Sequence, residues 1–450
     1  MRSFLASAIG VTCSAAFVLP LAAPAGAAPD TAATSTTEAA DPGEVPGSTQ
    51  SLHLSPLSTA STRASGAPFA EQGLPRRDVR PFSLVGVVWD DVNAELDGTV
   101  QVRTRPTGST HWSGWQDLET HNAEHGADLG TAERDSRTVR GSTAPLWVGE
   151  SDGVEVRVSP GAAGVRDRGA GPRIPLPEGL RLELVDPGQD PRQSRTADAG
   201  PAAGEEATGS AGDGDRAGVL EPAVLPALGK AETEARSEAA AGVAPGARPY
   251  IGARPRIITR KGWGADEKLR ERAFAYTKTV KAAFVHHTAT GNTYSCSQAP
   301  SVLRGIYRYH VKSSGWRDIG YNFAVDKCGN IYEGRAGGVT KAVLGAHTLG
   351  FNTNSMGVAV LGTFNTSNPP SAVVNAIAEL TAWKLGLFGA DPSGRTTLVS
   401  GGGNRFKKGA KVGLNVISGH RDGFATECPG SRLYKKLGTA RTSSAHLQGR

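Results

Sequence analysis

Four residues of this sequence have the chemistry that binds a transition metal. His286 and His287 are adjacent, while His420 and Cys428 lie close together nearer the C-terminus. Two imidazoles and one thiolate form a three-ligand set that suits a catalytic zinc with its fourth position open. Sulfur and nitrogen ligands also favour zinc over magnesium or calcium. The pattern predicts a zinc site, but a structural role for each histidine fits the spacing equally well.

The elements around these residues limit how they can meet. Alternation over residues 280–287 predicts a buried strand, so only one of His286 and His287 can face a given metal. His420 and Cys428 do not fit one helix face, and we expect a loop that folds back and stops at Pro429 and Gly430. The sequence has no His-Glu-x-x-His segment, which weighs against a common class of metalloprotease.

Length and composition predict two or three domains joined by unpacked segments. The chain has 450 residues with 58 Gly and 28 Pro, and only 6% are aromatic. A leading apolar run that ends in Ala-Gly-Ala predicts a signal peptide, and no later run is long enough to span a membrane. The predicted segments are a signal peptide (1–27), a disordered lead-in (28–74), a β-rich accessory domain (75–187), a flexible linker (188–253), an α/β domain (254–438) and a tail (439–450).

The two domains differ in their hydrophobic period. Residues 75–187 alternate with period two, which predicts antiparallel strands in a small sandwich or barrel and includes no catalytic constellation. Trp112 and Trp115 in that segment could face a sugar, or they could belong to the core or a strand edge. From residue 254 onward, strand-like runs alternate with helical spacings. This mixture predicts a central sheet flanked by helices.

Cysteines and charge indicate an exported protein with an anionic partner. Cys13 falls in the predicted signal peptide, and Cys296 and Cys328 are expected to form a disulfide, the alternative being two buried thiols. Residues 256–438 contain 25 Lys and Arg against 10 Asp and Glu. For an exported protein, this excess favours cell-envelope carboxylates and phosphates over nucleic acid. A merely solvated basic surface is the alternative.

Residues 256–437 resemble a peptidoglycan recognition protein domain, the zinc-dependent N-acetylmuramoyl-L-alanine amidase family with a type 2 amidase domain, in a secreted actinobacterial form. The resemblance rests on short segments in family order. They are Val285-His-His-Thr288, Gly315-Trp-Arg-Asp-Ile-Gly-Tyr-Asn-Phe323, Ile331-Tyr-Glu-Gly-Arg335, Gly345-Ala-His347, Gly350-Phe-Asn352, Ser355-Met-Gly357, Gly419-His-Arg-Asp422 and Thr426-Glu-Cys-Pro-Gly430. Residues 75–187 resemble a β-rich segment found before such domains.

The resemblance assigns roles to individual residues. It implies that His286, His420 and Cys428 bind Zn²⁺ and that His287 does not. It also implies that Tyr321 stabilises the oxyanion or orients water, and that Thr426 donates a hydrogen bond in the same site. The reaction implied is hydrolysis of the amide between N-acetylmuramic acid and L-alanine in peptidoglycan.

Substrate contacts also follow from the resemblance. Gly315 and Trp316, together with Arg335, imply stem peptides of the diaminopimelate type, whose extra carboxylate can pair with the guanidinium. The alternative makes Trp316 a core residue and Arg335 a surface ion pair. Further groove contacts implied by the resemblance are His310, His347 and Asn352.

The leading interpretation is a secreted, monomeric zinc amidase. The alternatives are a muropeptide-binding module of the same fold without catalysis and a structural envelope protein held by its basic face. Non-catalytic relatives typically lose the ligand cysteine, whereas this chain keeps Cys428. Retention of all three ligand residues favours the enzyme.

Overall fold

The computed structural model describes residues 47–57, 71–161, 175–189, 222–241 and 250–450. All of them lie within one compact unit, Pro42–Arg450. The predicted signal peptide, residues 1–27, lies outside the described residues. Among the helices described, none is long and apolar enough to cross a membrane.

The N-terminal domain is a single antiparallel sheet of eight strands. Its path runs β1-β8-β3-β7-β4-β5, and β2 and β6 both pair with β3. The strands are β1 (Ser48–His53), β2 (Ser55–Pro56), β3 (Gln72–Trp89), β4 (Gly98–Pro106), β5 (Gln116–Leu118), β6 (Gly141–Ser142), β7 (Leu146–Pro160) and β8 (Arg181–Asp186). The prediction of a β-rich domain is confirmed.

Alternating side chains explain why these segments form strands. In β4, Val100, Val102 and Thr104 are buried, whereas Gln101 and Arg103 between them are partly exposed. Trp112 and Trp115 are half-buried on the surface and lie against arginines, with Arg76 5.1 Å from the Trp112 ring and Arg157 4.3 Å from the Trp115 ring. Their proposed contact with a sugar stays a prediction.

The C-terminal domain has a mixed sheet of seven strands in the order β17-β11-β14-β12-β13-β10-β9. The central pairs β17-β11, β11-β14 and β14-β12 are parallel, while β12-β13 and β10-β9 are antiparallel. The strands are β9 (Val224–Leu225), β10 (Ile257–Ile258), β11 (Ala282–His287), β12 (Phe323–Val325), β13 (Ile331–Glu333), β14 (Ser355–Val360) and β17 (Ile417–Gly419). A separate hairpin consists of β15 (Arg395–Val399) and β16 (Lys411–Asn415).

Helices cover both faces of this sheet, as predicted for an α/β domain. One hydrophobic core includes Trp383 and Leu437, from α4 and α7, and the other includes Leu303 and Ile306, from α3. The helices are α1 (Lys230–Ala241), α2 (Arg260–Trp263), α3 (Ala299–Arg308), α4 (Ser371–Gly386), α5 (His420–Gly423), α6 (Ser431–Tyr434) and α7 (Leu437–Gln448). A π-helical turn, Tyr309–Ser313, extends α3.

Three predicted segment boundaries differ from the structure. β1 and β2 lie inside the predicted disordered lead-in, because residues 48–53 pair along the whole length of β8. β9 and α1 lie inside the predicted linker, and β9 pairs with β10 at the sheet edge. The predicted tail, residues 439–450, belongs mostly to α7, which packs against α4 and buries Ala440 and Ala445.

The two domains share a hydrophobic core. Leu84 of β3 and Val185 of β8 belong to the same buried cluster as Ile306 of α3. Tyr309 donates a hydrogen bond from its hydroxyl to the carbonyl oxygen of Thr143, at 3.1 Å. The β-rich domain is therefore docked directly on the helical face of the C-terminal domain.

Cys296 and Cys328 form a disulfide, with a Cα–Cα distance of 6.2 Å. Cys296 begins a short 3-10 turn just before α3, and Cys328 lies in the turn between β12 and β13. The bond therefore ties the start of the helix to the sheet, as the sequence predicted.

Candidate metal centre

Parallel strand pairing brings the predicted histidines together. β11 and β17 are neighbours, with Val285 opposite Gly419. His286 follows Val285 within β11, and His420 follows Gly419 as the first residue of α5. Their ring centroids are 4.6 Å apart. This edge of the sheet therefore presents two buried imidazoles side by side.

A returning loop adds Cys428 to the two histidines. The amide of Arg421 donates to the carbonyl oxygen of Cys428 at 3.0 Å, which closes the segment after α5 into a loop. The Cys428 Sγ lies 3.8 Å from Nδ1 of His286, and the amide of His287 donates to the same sulfur at 3.4 Å. His287 takes another role with its ring, whose Nδ1 accepts a hydrogen bond from the amide of Phe364. The structure thus joins the three residues that the sequence predicted as ligands.

Burial makes the charged forms of these three side chains unfavourable. Burial and the neighbouring imidazoles lower the pKa of His286 and His420 well below 6.5, so both are neutral. Neither ring nitrogen of His420 makes a hydrogen bond of normal geometry. Burial also raises the pKa of the Cys428 thiol well above 9. A bound metal would use the neutral imidazoles as ligands and would stabilise the thiolate form of Cys428.

A fourth side chain joins the cluster from the other domain. His125 lies between β5 and β6, and its Nε2 is 3.8 Å from the Cys428 Sγ. The candidate ligand atoms of His125, His286, His420 and Cys428 all lie within 4.8 Å of one another. Tetrahedral zinc with bonds of about 2.0–2.3 Å separates its ligand atoms by roughly 3.3–3.8 Å. The donor types therefore suit zinc, while the 4.8 Å limit allows separations about 1 Å longer than those of a tetrahedral site.

Tyr321 and Thr426 lie beside this cluster. The ring of Tyr321 is 5.5 Å from that of His286, and burial raises the pKa of its hydroxyl well above 10, so it stays a donor. Thr426 accepts a hydrogen bond from the amide of Cys428 at 3.1 Å. Its hydroxyl donates to the carboxylate of Glu124 at 2.7 Å. Burial raises the pKa of Glu124 to about 7.

The residues predicted to select the substrate are buried together. The rings of His310 and Trp316 are 4.3 Å apart, and Nδ1 of His310 accepts a hydrogen bond from the amide of Gly320. Arg335 makes two hydrogen bonds to Glu133 of the N-terminal domain, at 2.7 and 2.9 Å. Burial raises the pKa of Glu133, but the charge and hydrogen bonds of Arg335 outweigh it and hold that pKa below its usual value. The alternative interpretation of Arg335 as a surface ion pair is therefore wrong about its location, because the pair is buried and bidentate.

Gly315 has a different part in the structure. Its φ is +76°, and a Cβ there would lie 1.8 Å from the carbonyl oxygen of Thr138. A side chain would therefore collide with the N-terminal domain, and the backbone conformation favours glycine. The glycine permits close approach of the two domains beside Trp316.

His347 and Asn352 surround the cluster rather than join it. Nδ1 of His347 lies 3.3 Å from Nε2 of His286, the nitrogen that faces away from Cys428. Asn352 accepts hydrogen bonds from the amides of His347 and Thr348 and donates to Asp128 at 2.7 Å. Both residues hold the ring of His286 and its neighbours in place.

A cavity of about 440 Å³ lies beside the cluster, and both domains line it. Tyr321, His310 and Cys428 contribute from the C-terminal domain, and Glu119 and His121 contribute from the N-terminal domain. The space next to the candidate metal ligands is therefore partly filled by the N-terminal domain.

Residues 75–187 contribute side chains to this region, although the sequence showed no catalytic constellation there. His125, Glu124, Asp128 and Glu133 all reach the groove of the C-terminal domain. The sequence carried a weak signal, since two histidines and several acidic residues occur between β5 and β6 in a stretch that lacks strand alternation. Nothing in that spacing specified a partner in the other domain.

Comparison with known proteins agrees with the architecture. Residues 276–431 match the family model for N-acetylmuramoyl-L-alanine amidase, and residues 30–197 match the model for the Rv3811 N-terminal galactose-binding domain-like family. Peptidoglycan-recognition protein SC2 of Drosophila melanogaster is 34% identical over 185 residues, which cover 41% of this chain and 85% of that protein. Human N-acetylmuramoyl-L-alanine amidase is 30% identical over 190 residues, 41% of this chain and 28% of the human protein.

Similar solved structures include Drosophila PGRP-LB, at 27% identity over 40% of this chain and 91% of that chain, with a TM-score of 0.32. Peptidoglycan recognition protein-LE in complex with tracheal cytotoxin is 31% identical over 41% of this chain and 92% of that chain, also with a TM-score of 0.32. On the sequence relationship, the chain belongs to the family of peptidoglycan recognition proteins and type 2 N-acetylmuramoyl-L-alanine amidases.

Proposed function

We propose that this protein is an exported, zinc-dependent amidase that hydrolyses the bond between N-acetylmuramic acid and L-alanine in peptidoglycan. The observation that carries the proposal is the buried cluster of His286, His420 and Cys428 in a member of an amidase family. A module that only bound muropeptides would have no need of a buried thiol between two imidazoles. The cysteine therefore favours catalysis over binding alone.

Three side chains of the C-terminal domain would hold the metal: Nδ1 of His286, the imidazole of His420 and Sγ of Cys428. When bound, zinc would supply Lewis acidity and lower the pKa of water to about 7. His347 and Thr348 contact the second nitrogen of His286, at 3.3 and 3.4 Å, and so fix the orientation of its ring.

Two further side chains would act on the reacting amide. Tyr321 keeps its proton because of burial, so its hydroxyl can donate to negative charge that develops on the carbonyl oxygen. Thr426 is anchored to the amide of Cys428 and can offer its own proton to the substrate once Glu124 moves away.

The substrate class follows from Arg335 and its surroundings. Its guanidinium already pairs with a carboxylate in bidentate geometry, which is the contact that a diaminopimelate side chain would make. The rings of His310 and Trp316, 4.3 Å apart, would contact the stem peptide. Gly315 shapes the adjacent backbone, and His347 and Asn352 support the groove from behind the metal ligands. The excess positive charge of this domain suits an anionic wall polymer.

Digestion of purified sacculi tests the proposal. Full-length protein loaded with zinc is mixed with diaminopimelate-type wall, and mass spectrometry follows the release of stem peptides. We expect Cys428→Ser to lose both release and stoichiometric zinc while it still sediments with the wall. Release by the variant, or by wild-type protein after chelation, would refute the zinc assignment. The non-catalytic module would be favoured if wild-type protein binds the wall but neither it nor the His125→Ala variant described below releases stem peptides.

A further inference from the structure

Residues 119–140, between β5 and β6, form an insertion loop that enters the groove of the C-terminal domain. We infer that this loop completes a four-ligand metal site, with His125 in the position that an active amidase leaves open, and that the resting protein is therefore latent. The inference rests on the proposed zinc site. It adds a residue and a state that the catalytic proposal does not require.

The position of His125 is that of a ligand rather than a neighbour. Its ring centroid is 4.6 Å from that of His420 and 5.4 Å from that of His286. Its Nε2 is as far from the Cys428 sulfur as Nδ1 of His286 is, 3.8 Å in each case. The ring is 7% exposed, and its other nitrogen, Nδ1, has no hydrogen-bond partner. Two imidazoles thus approach the same sulfur at equal distance from two different domains.

Closure of the fourth position has a direct chemical consequence. Zinc with four protein ligands is typical of structural sites, whereas catalytic sites keep one position for water or substrate. A site with three imidazoles and one thiolate has no place for the water that hydrolysis needs. His125 must leave before an amide carbonyl can approach.

Acidic residues of the insertion loop also occupy the groove. Glu133 pairs with Arg335, Asp128 accepts hydrogen bonds from Asn352 and the amide of Gly350, and Glu124 accepts one from Thr426. Arg335, Asn352 and Thr426, which bind these carboxylates, are all proposed to contact the substrate or to support the groove. The loop therefore presents to the groove the same kind of charge that an anionic stem peptide would present.

The rest of the loop is held by the backbone of the C-terminal domain. The amide of Arg140 donates to the carbonyl oxygen of Ser314, and the amide of Leu349 donates to that of Glu124, at 3.1 and 2.9 Å. The Thr138 hydroxyl donates to the carbonyl oxygen of Gly315 at 3.1 Å. These bonds fix both ends of the segment that carries His125 and Glu133. The loop is thus a built part of the groove and not a surface loop that touches it.

The test compares zinc-loaded full-length protein with its His125→Ala variant. X-ray absorption at the zinc edge counts sulfur and imidazole ligands, and a competing chelator measures affinity. We expect one sulfur and three imidazoles in the wild type, and one sulfur, two imidazoles and a water oxygen in the variant. Zinc affinity should fall roughly tenfold or more, which corresponds to about 1.4 kcal/mol, while release of stem peptides rises. His111→Ala, which removes an exposed histidine of the same domain, is the matched control.

Each outcome decides the inference. Two imidazoles and a water in the wild type, or an unchanged ligand set in His125→Ala, would overturn it. A changed ligand set without turnover would uphold the four-ligand site and reject the amidase. If His125→Ala does not fold, Glu133→Gln replaces it, because that variant keeps all four ligands and loses only the charge paired with Arg335. It should release stem peptides faster than wild type, and an equal or slower rate would overturn the latent state.

Discussion

The Tyr321 hydroxyl is the neutral donor that we propose for the oxyanion. It lies next to His286, and burial raises the pKa of its hydroxyl well above 10, so it is protonated near neutral pH. Loss of one such donor typically lowers a rate by about 10²–10³-fold. We therefore expect Tyr321→Phe to reduce the release of stem peptides by about that factor, with zinc content unchanged.

The measurement uses purified muropeptide and is made in the wild-type chain and in the His125→Ala background. Tyr307→Phe serves as the control, because that buried tyrosine hydroxyl donates to the carbonyl oxygen of Asp266. A rate within twofold of the parent for Tyr321→Phe would show that another group stabilises the charge. Loss of zinc in that variant would instead mean that Tyr321 supports the ligands.

At the residue scale, the sequence predicted those site residues whose side-chain type alone suggests metal binding. Cysteine and histidine side chains are common zinc ligands, and strand alternation excluded a shared role for His286 and His287. His125 was missed because it lies 303 positions from Cys428, and no local period encodes contact across that distance. The pairing of Glu133 with Arg335 was missed for the same reason.

The disulfide is the element-scale feature with the most measurable effect. It connects the turn before α3 to the turn after β12 across a sequence separation of 32 residues. Loss of a cross-link of that span costs about 3–4 kcal/mol in the chain-entropy model. For a domain of this size, we expect Cys296→Ala with Cys328→Ala to lower the Tm by roughly 10 °C. Scanning calorimetry measures the shift.

A reducing agent provides the control for this double variant. It should lower the Tm of wild-type protein toward that of the variant and leave the variant itself unchanged. Equal Tm values for oxidised wild type and variant would mean that packing of α3 alone fixes this region. The zinc ligands should be retained in the variant, because Cys428 is not part of the bond.

The sequence predicted elements well where the hydrophobic period was strong. The runs that became β11, β14, α3 and α4 were recognised because their apolar residues face a core on one or both sides. β1 and β9 were missed because they are partly exposed edge strands. Such strands obtain their order from hydrogen bonds to a neighbour, which composition does not reveal.

At the scale of the whole molecule, docking of the two domains controls the proposed latent state. Gly86 of β3 faces Tyr309, and a Cβ at this position would lie 2.3 Å from the tyrosine hydroxyl oxygen. Overpacking of this kind typically costs about 1–3 kcal/mol. We expect Gly86→Val to loosen the interface, expose the insertion loop to protease and increase the release of stem peptides.

Limited proteolysis with mass spectrometry locates the cleavage, and the same sample is assayed on sacculi. Gly114→Val is the matched control, since a Cβ at that position of the same domain has no atom within 4 Å. Cleavage of the variant at the wild-type rate, with unchanged turnover, would show that the interface does not restrain the loop. Faster cleavage in both variants would indicate a general loss of stability.

The ion pair between Glu133 and Arg335 also sets the concentration at which another carboxylate could displace Glu133. A carboxylate on the same chain competes at an effective concentration that depends on how the chain holds it, and dilution of the protein does not weaken it. A free wall fragment with one carboxylate must match that level to enter. An intact wall presents many such groups within reach of a bound molecule, so the protein should distinguish polymer from its soluble debris by local density rather than by chemical structure.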